Sequence, residues 1–321
     1  MKLMKIVLLS ASCAAAGPLV AQTTPELNCD TVRVVVPFGA GGGSDFQARA
    51  MVAAANKLPN APQFQVVNIT GQSGNRGTRE VASADPDGCT LLYHHAAILS
   101  SYLTGRSASS WEAFAPVAMI AAEPALFAAS DNENFTNLDE LAKFAAQEPG
   151  SVTAAVSVGS DTHFAMLMLQ DALGVQFKIV GYDGTSERVT AMLSNIVQVG
   201  QVTEQTAAQY FGTELTPLAY AAKERSAQVP DIPTALEQGY DVVAGSVRGF
   251  LLPADTPEDI VNYYADIFET AVQDEDVVST FEGIGVLIDY RGPEEYREWW
   301  VEASDRWEQL ARDLNIYNPR D

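Results

Sequence analysis

Three groups of residues in this chain have the types and spacing for anion chemistry. The first is Pro37-Phe38-Gly39-Ala40-Gly41-Gly42-Gly43-Ser44-Asp45, in which four glycines fall within five positions after the β-branched run Val34-Val35-Val36. Glycine tolerates backbone angles that let successive amides turn toward one point, and the proline ends the strand's hydrogen-bond ladder. Ser44 or Asp45 is placed to cap a helix through Phe46, Ala50, Val52 and Ala53. A strand, a glycine turn and an open helix N-terminus suit negative charge, through unpaired N–H groups and the helix dipole. The second group, Gly159-Ser160-Asp161-Thr162-His163, repeats that design after an apolar stretch over 152–158. The third is the pair His94-His95, at the far end of the run 89–93.

Each group also has a plainer use. The glycine run serves equally as a tight strand-to-helix turn, Asp45 as a cap and loop brace, and His163 as cover for a helix end. Other chemistries fit less well. Gly39 and Gly41 begin a dinucleotide fingerprint, but Ser44 stands at its last position. The next strand, Gln65-Val66-Val67, ends in Asn68 where a ribose-binding acid belongs. No cofactor is expected. Three histidines without matching cysteine or carboxylate spacing argue against a metal site. Neither Ser160 nor Ser73 lies in a G-x-S-x-G elbow, and no Ser–His–acid order suggests a hydrolase.

The chain has 321 residues, enough for two domains with real cores. Residues 1–21 have the form of a signal peptide: Lys2 and Lys5, an apolar start at Ile6 to Leu9, and Ala21 at the cut. The apolar stretch is too short to span a bilayer. Cys13 raises a lipoprotein alternative, but Ser10 stands where a leucine-like residue belongs, so a cleaved, soluble, exported protein is preferred. Cleavage leaves 17 basic and 41 acidic residues, a net charge of −24. Such a surface repels nucleic acid and anionic membrane, and neither is expected as a partner. Cys29 and Cys89 then remain, either as one disulfide or as two buried thiols.

The elements that must position these groups follow a repeating pattern. Strands over 34–36, 64–67 and 89–93 alternate with helices, which is the pattern of a parallel sheet with crossover helices. Ligands in such sheets sit at the carboxyl ends of the strands, so the glycine loop, the 68–77 loop and the histidines share one edge. The stretch 120–129, broken at Glu123-Pro124, crosses to a second set of strands near 152–158, 177–180, 196–202 and 215–221. The stretches 242–245 and 249–252 return to the first. A helix opens at Thr256-Pro257-Glu258 and should run to about Val272. A second, amphipathic helix runs from 293 to 310, with Trp299, Trp300 and Trp307 expected as packing residues.

Several stretches, taken together, resemble the substrate-binding proteins of tripartite tricarboxylate transporters, the Bug receptors. They are Val36-Pro37-Phe38 with Gly41-Gly42 and Asp45; Asn68 with Gly71 and Gly74; the segment Ala84 to Leu91; and Tyr182 with Gly184. Glu224-Arg225-Ser226, Val229 to Thr234, Glu237-Gln238-Gly239 and Pro253 to Pro257 complete the match in order. The resemblance implies an α/β, type II periplasmic-binding-protein fold. This is a Venus flytrap of two α/β domains, here 22–122 with 248–321, and 123–247, with a ligand cleft between them. It implies a small organic acid as ligand, membrane transporter subunits as partners, no catalysis, and a monomer. Carried over by position, Phe38, Gly39, Ala40, Gly41, Gly42, Gly43, Ser44 and Asp45 form a first clamp, with Asn68 and Ser73 beside it. Ser160, Asp161 and His163 supply the opposite side, Tyr182 and Asp183 a wall, and His94 faces the cleft. A sensor kinase as partner, or a hydrolase in the same cleft, are the competing readings.

One departure stands out. Ser246-Val247-Arg248 occupies the place where the family carries an aromatic residue before the glycine at 249. Of the arginines near the cleft loops, Arg76, Arg188 and Arg248, the last lies on the return strand. There it is expected to form a bidentate pair with a ligand carboxylate, or else to be a surface residue paired with an acid.

Overall fold

The computed structural model describes residues 25–131, 135–182, 185–283 and 286–320. The leader over 1–21 and Asp183 lie outside these. The chain starts with β1 (Thr31–Val36), α1 (Gly43–Ala55), β2 (Gln63–Asn68), α2 (Asn75–Ala82), β3 (Thr90–His95) and α3 (Ala97–Leu103). It continues through β4 (Phe114–Pro124), β5 (Leu126–Ser130), α4 (Leu138–Gln147), β6 (Thr153–Val156), α5 (Asp161–Leu173), β7 (Lys178–Gly181) and α6 (Thr185–Leu193). Next come β8 (Val199–Val202), α7 (Glu204–Tyr210), β9 (Leu215–Tyr220) and β10 (Gly245–Pro253). It ends with α8 (Glu258–Ala271), α9 (Glu275–Gly283), β11 (Leu287–Arg291) and α10 (Pro293–Asp313).

The strands form two sheets, in the orders β11-β4-β10-β3-β1-β2 and β7-β6-β8-β5-β9. The pairs β1–β2 and β1–β3 are parallel, as the alternation of strands and helices predicts. Val34 and Val36 face the α1 and α8 side with Leu91, Tyr93, Tyr264 and Phe268, whereas Val35 and Leu92 face the opposite core. That division follows from the period-2 alternation of strand side chains.

Two strands carry the chain between the sheets. β4 lies in the first sheet and β5 in the second, with Ala125 alone between them. β10 returns from Gly245, antiparallel to both β4 and β3. Three backbone bonds tie this crossing: Ala125 N to Ala244 O, Ala244 N to Ala221 O, and Ala221 N to Ala125 O. A side chain at Gly245 would place its Cβ 2.3 Å from the carbonyl oxygen of Glu123, so the two crossing strands touch there through bare backbone.

Two element boundaries differ from the sequence expectation. The first helix starts at Gly43 with Gly42 in the capping position, and neither Ser44 nor Asp45 caps it. The helix after 256 has Pro257 as its cap residue, one place ahead of Glu258, while the Thr256 hydroxyl donates to Pro253 O. The stretch 120–129 crosses between the sheets as expected, with its break directly after Pro124. The tryptophans of α10 do pack: Trp300 is fully buried and stacks on Trp111, and Trp307 stacks on Phe164 of α5 at 4.7 Å. α10 thereby joins β4 of the first sheet to α5, which packs on β6 and β8 of the second. Cys29 and Cys89 are joined by a disulfide, with Cα atoms 6.0 Å apart, just ahead of β1 and β3.

Candidate ligand cleft

A cavity of about 460 Å³ lies between the two sheets, a volume in the range of small-molecule sites. Its wall comes from both sides. Phe38, Ser73, His95 and Arg106 belong to the loops at the carboxyl edge of β1, β2 and β3 and to the turn after α3. The turn 157–162 opposes them, with Arg188 on α6 and the stretch 201–203 at the end of β8. Glu123, Ser246 and Arg248 line it from the crossing strands.

The glycine loop is built otherwise than its composition suggests. Only Phe38 of this loop lines the cavity, and Gly39 to Gly43 are exposed. The Gly41 amide donates to Asp45 Oδ2 at 2.9 Å, and the Gly42 amide points to Gly39 O. Asp45 is 2% exposed and also accepts from Asn68 Nδ2 at 2.8 Å and from Arg49. Burial pushes its carboxyl up, but these three donors outweigh it and hold Asp45 below the usual carboxylate range. Asn68 donates to Phe38 O as well. Asp45 and Asn68 are therefore braces that fix the loop, with no side-chain surface in the cavity wall. Ser44 is buried and its Oγ accepts from Arg248 Nε at 3.3 Å.

The two histidines divide their roles. Successive strand residues point to opposite faces, so one ring turns to the cleft and the other away. His95 lines the cavity and stacks on Phe38 at 4.8 Å, whereas His94 is 2% exposed and meets Phe38 edge-on behind it. The expectation that His94 faces the cleft is thus displaced by one residue. Burial, helped by the Arg248 charge, lowers the His95 pKa to about 3, so the ring is neutral.

On the opposing side Ser160 caps α5, its Oγ accepting from Thr162 N and donating to Ser157 O. Asp161 Oδ2 lies 3.8 Å from His95 Nδ1, across the cleft. Gly159 has φ +74, and a Cβ there would fall 2.7 Å from Arg106 Cζ. The arginine therefore rests on the bare Cα of the facing turn. His163 is buried behind that turn, and its Nδ1 accepts from Gly159 N at 3.1 Å. It positions the turn and does not line the wall. Tyr182 donates its backbone N–H to Val156 O and packs against the apolar cluster of the second sheet, also outside the wall.

Arg248 does line the cavity, but its charge is already engaged. Ser246 stands opposite Glu123 in the β4–β10 register, which makes Arg248 the diagonal neighbour of Glu123 on one face. Arg248 Nη1 and Glu123 Oε1 form an ion pair, with the two side chains 13% and 29% exposed. Burial pulls the guanidinium pKa down and the Glu123 charge more than restores it. Sequence reasoning counted the arginine and missed the acid, which sits far away in the chain. It also missed Arg106, whose signal was a lone cation in the turn Gly105-Arg106-Ser107, just after a short helix. Arg76 is exposed and absent from the wall. Among the described residues no three His, Cys, Asp or Glu side chains cluster as metal ligands.

A model of the family described as the tripartite tricarboxylate transporter family receptor matches residues 50–316. The chain belongs to this family. Protein BugT of Bordetella pertussis is 25% identical over 310 residues, covering 94% of each chain. A TctC solute binding protein from Polaromonas superposes with a TM-score of 0.79 at 23% identity, covering 88% of this receptor and 98% of that chain. MatC from Rhodopseudomonas palustris, solved with bound malate, gives a TM-score of 0.70 at 29% identity, covering 87% and 98%. The receptor therefore has the two-domain α/β substrate-binding fold, and its cavity lies where the two halves face each other.

Proposed function

We propose that this receptor captures a small organic carboxylate in the cleft between its lobes, 22–122 with 248–321 and 123–247. It hands the ligand, chemically unchanged, to the membrane subunits of a tripartite tricarboxylate-type transporter. The lobes meet at the crossing strands near Ala125 and Gly245, a suitable place for hinge closure. The observation that carries the reading is the cavity wall: Arg106, Arg188 and Arg248 all line one cavity in a chain of net charge −22, and Arg248 alone among them is seen paired with a wall acid, Glu123, in the described residues' ion pairs. Guanidinium groups in a dry cleft bind carboxylates through paired, charge-assisted hydrogen bonds. MatC, with malate in its structure, supports the same ligand class. Export through the leader at 1–21, and action as a monomer, belong to this proposal. Among the described residues no helix is long and apolar enough to cross a membrane.

A thermal-shift screen tests it. Carboxylates of one, two and three charges are compared with neutral sugars and amines, since a ligand that binds only the native state raises Tm with its concentration. A rise with at least one carboxylate is expected. A rise with the neutral compounds alone overturns the proposal.

A further inference from the structure

The lobes are tied at a second place besides the crossing strands. The N-terminal half of α10 is seated on the first lobe, where Tyr296 covers the bare Cα of Gly249 on β10 and Trp300 stacks on Trp111. Its C-terminal half lies on the second lobe. Trp307 stacks on Phe164 of α5, with ring planes 14° from parallel, and Arg306 Nη2 donates to Asp241 O at 3.0 Å. Beyond the helix the chain comes back to the first lobe, where Asn318 N donates to Leu103 O at the end of α3.

The stack is a core contact. Phe164 is 0% exposed and Trp307 5%, and one continuous apolar cluster holds them together with Val35 and Leu92 of the first lobe and Ala154 and Val156 of the second. Parting the lobes there would bring two large aromatic side chains into water, which the hydrophobic effect opposes. The backbone bonds among Ala125, Ala221 and Ala244 hold the other junction. A rigid lobe held at two places is left with rotation about the line that joins them.

We infer that α10 is a strap between the lobes: the Trp307–Phe164 stack stays in place when the cleft opens and confines the motion to rotation about the line from the crossing strands to this stack. The inference rests on the reading of the cleft as a site that opens and closes on its ligand. It makes Trp307 a positioning residue. Phe164 follows His163, whose Nδ1 accepts from Gly159 N, so the strap holds the turn 157–162 against Arg106. That part of the wall stays assembled in the open receptor. The opening falls to the parts away from the line, Ser73 on the loop after β2 and Arg188 on α6; β2 is the edge strand farthest from β10 in its sheet.

Pairs of spin labels measure the two regions without any ligand. Asp171→Cys with Asp305→Cys puts labels at exposed positions of α5 and α10, across the stack. Arg76→Cys with Thr190→Cys puts them at exposed positions of α2 and α6, near Ser73 and Arg188. Electron–electron distance measurement on the ligand-free mature receptor, its Cys29–Cys89 disulfide intact, should give a narrow distribution for 171–305 and one about twice as wide for 76–190. Trp307→Ala should widen the 171–305 distribution about twofold, whereas Trp307→Phe, which keeps a ring on Phe164, should leave it narrow. Trp300→Ala removes an equally buried tryptophan from inside the first lobe, so it should lower Tm comparably and leave the 171–305 distribution unchanged. Equal widths of the two pairs in the parent, or a 171–305 distribution that Trp307→Ala does not widen, overturns the strap and leaves the carboxylate site standing. Should Trp307→Ala fail to fold, the two parent widths decide. A thermal-shift screen without a response to any carboxylate removes the proposed ligand class, and the distances still judge the strap.

Discussion

Glu123 on β4 and Arg248 on β10 form an ion pair across the two strands that connect the sheets. The pair extends in both directions. Tyr93 OH donates to Gln47 Oε1 at 2.8 Å, Gln47 Nε2 donates to Glu123 Oε1 at 2.9 Å, and Arg248 Nε reaches Ser44 on α1. The crossing strands, β3 and the first helix are thereby wired together through one buried polar chain. Such a chain rigidifies a site only when every member is satisfied.

Removing one end of the pair should therefore hurt more than removing both. Glu123→Gln still accepts from Gln47 but leaves the Arg248 guanidinium uncompensated, and should lower unfolding stability by about 3 kcal/mol. Replacing both Glu123 and Arg248 by Met should recover most of that loss, since well-packed apolar residues often match a buried ion pair. Urea denaturation of the three proteins measures it. A Glu123→Gln protein as stable as the parent would show that water or ligand-site solvent already screens the pair.

The turn 157–162 offers a second test, through its contact with Arg106. Gly159 has φ +74, and an alanine there carries a left-handed strain of about 1–2 kcal/mol and pushes its Cβ into the guanidinium. Gly174, which ends α5 with φ +64 and has nothing within 4 Å of an added Cβ, carries the same strain without the contact. Both Gly→Ala variants should lose similar stability by thermal melting. Only Gly159→Ala should lose ligand affinity, by about tenfold, the worth of one charged hydrogen bond. Equal affinities for the two variants would remove Arg106 from the binding site.

Much of this architecture could be read from local signals. The glycine run between Val36 and Asp45, the turn at 159–160 and the Pro-containing start of α10 each announced a strand or helix boundary within a residue or two. Parallel pairing of β1, β2 and β3 followed from strand and helix alternation. The site was less legible, because its wall is assembled by distant pairings. Glu123 and Arg248 are neighbours only through the β4–β10 register, and Arg106 meets Gly159 only because two lobes face each other. Composition also misled at the glycine loop. Glycines there permit a tight turn, and that turn is closed by Asp45 within the loop itself, so its amides were not all left for a ligand. Between His94 and His95 the sequence offered no phase; the strand's pleat supplied it.

The disulfide should matter more for stability than for binding. Cys29 and Cys89 enclose a loop of 60 residues and lie at the starts of β1 and β3, the edge of the sheet remote from the strands' carboxyl ends. In the chain-entropy account a loop of that length gives about 4 kcal/mol by restricting the unfolded chain. Cys29→Ser with Cys89→Ser should therefore lower Tm by several degrees, while calorimetry finds ligand affinity within a factor of two of the parent. A large loss of affinity in a folded double variant would mean that the bond also sets the height of β3 and its His95.

Acid should weaken the protein through its buried imidazoles before most carboxylates titrate. His163 is 8% exposed, and burial, with the nearby Arg106 charge, holds its pKa down to about 4. In the unfolded chain the same ring titrates near about 6.5. Between these two values the unfolded state binds a proton that the folded state refuses, so stability falls as pH drops from about 6.5 toward 4 and is unaffected above that window. The full shift corresponds to about 3 kcal/mol. His95, held down to about 3, acts in the same direction over a wider range. His163→Gln removes the titration while its amide oxygen can still accept from Gly159 N, the bond that fixes the turn under Arg106. Its Tm should decline less steeply than the parent's between pH 6.5 and 4, and the two should converge in slope near neutrality. Parallel curves across the whole range would mean that His163 takes up its proton in the folded state by turning to solvent, and that the turn at Gly159 is held by its backbone alone.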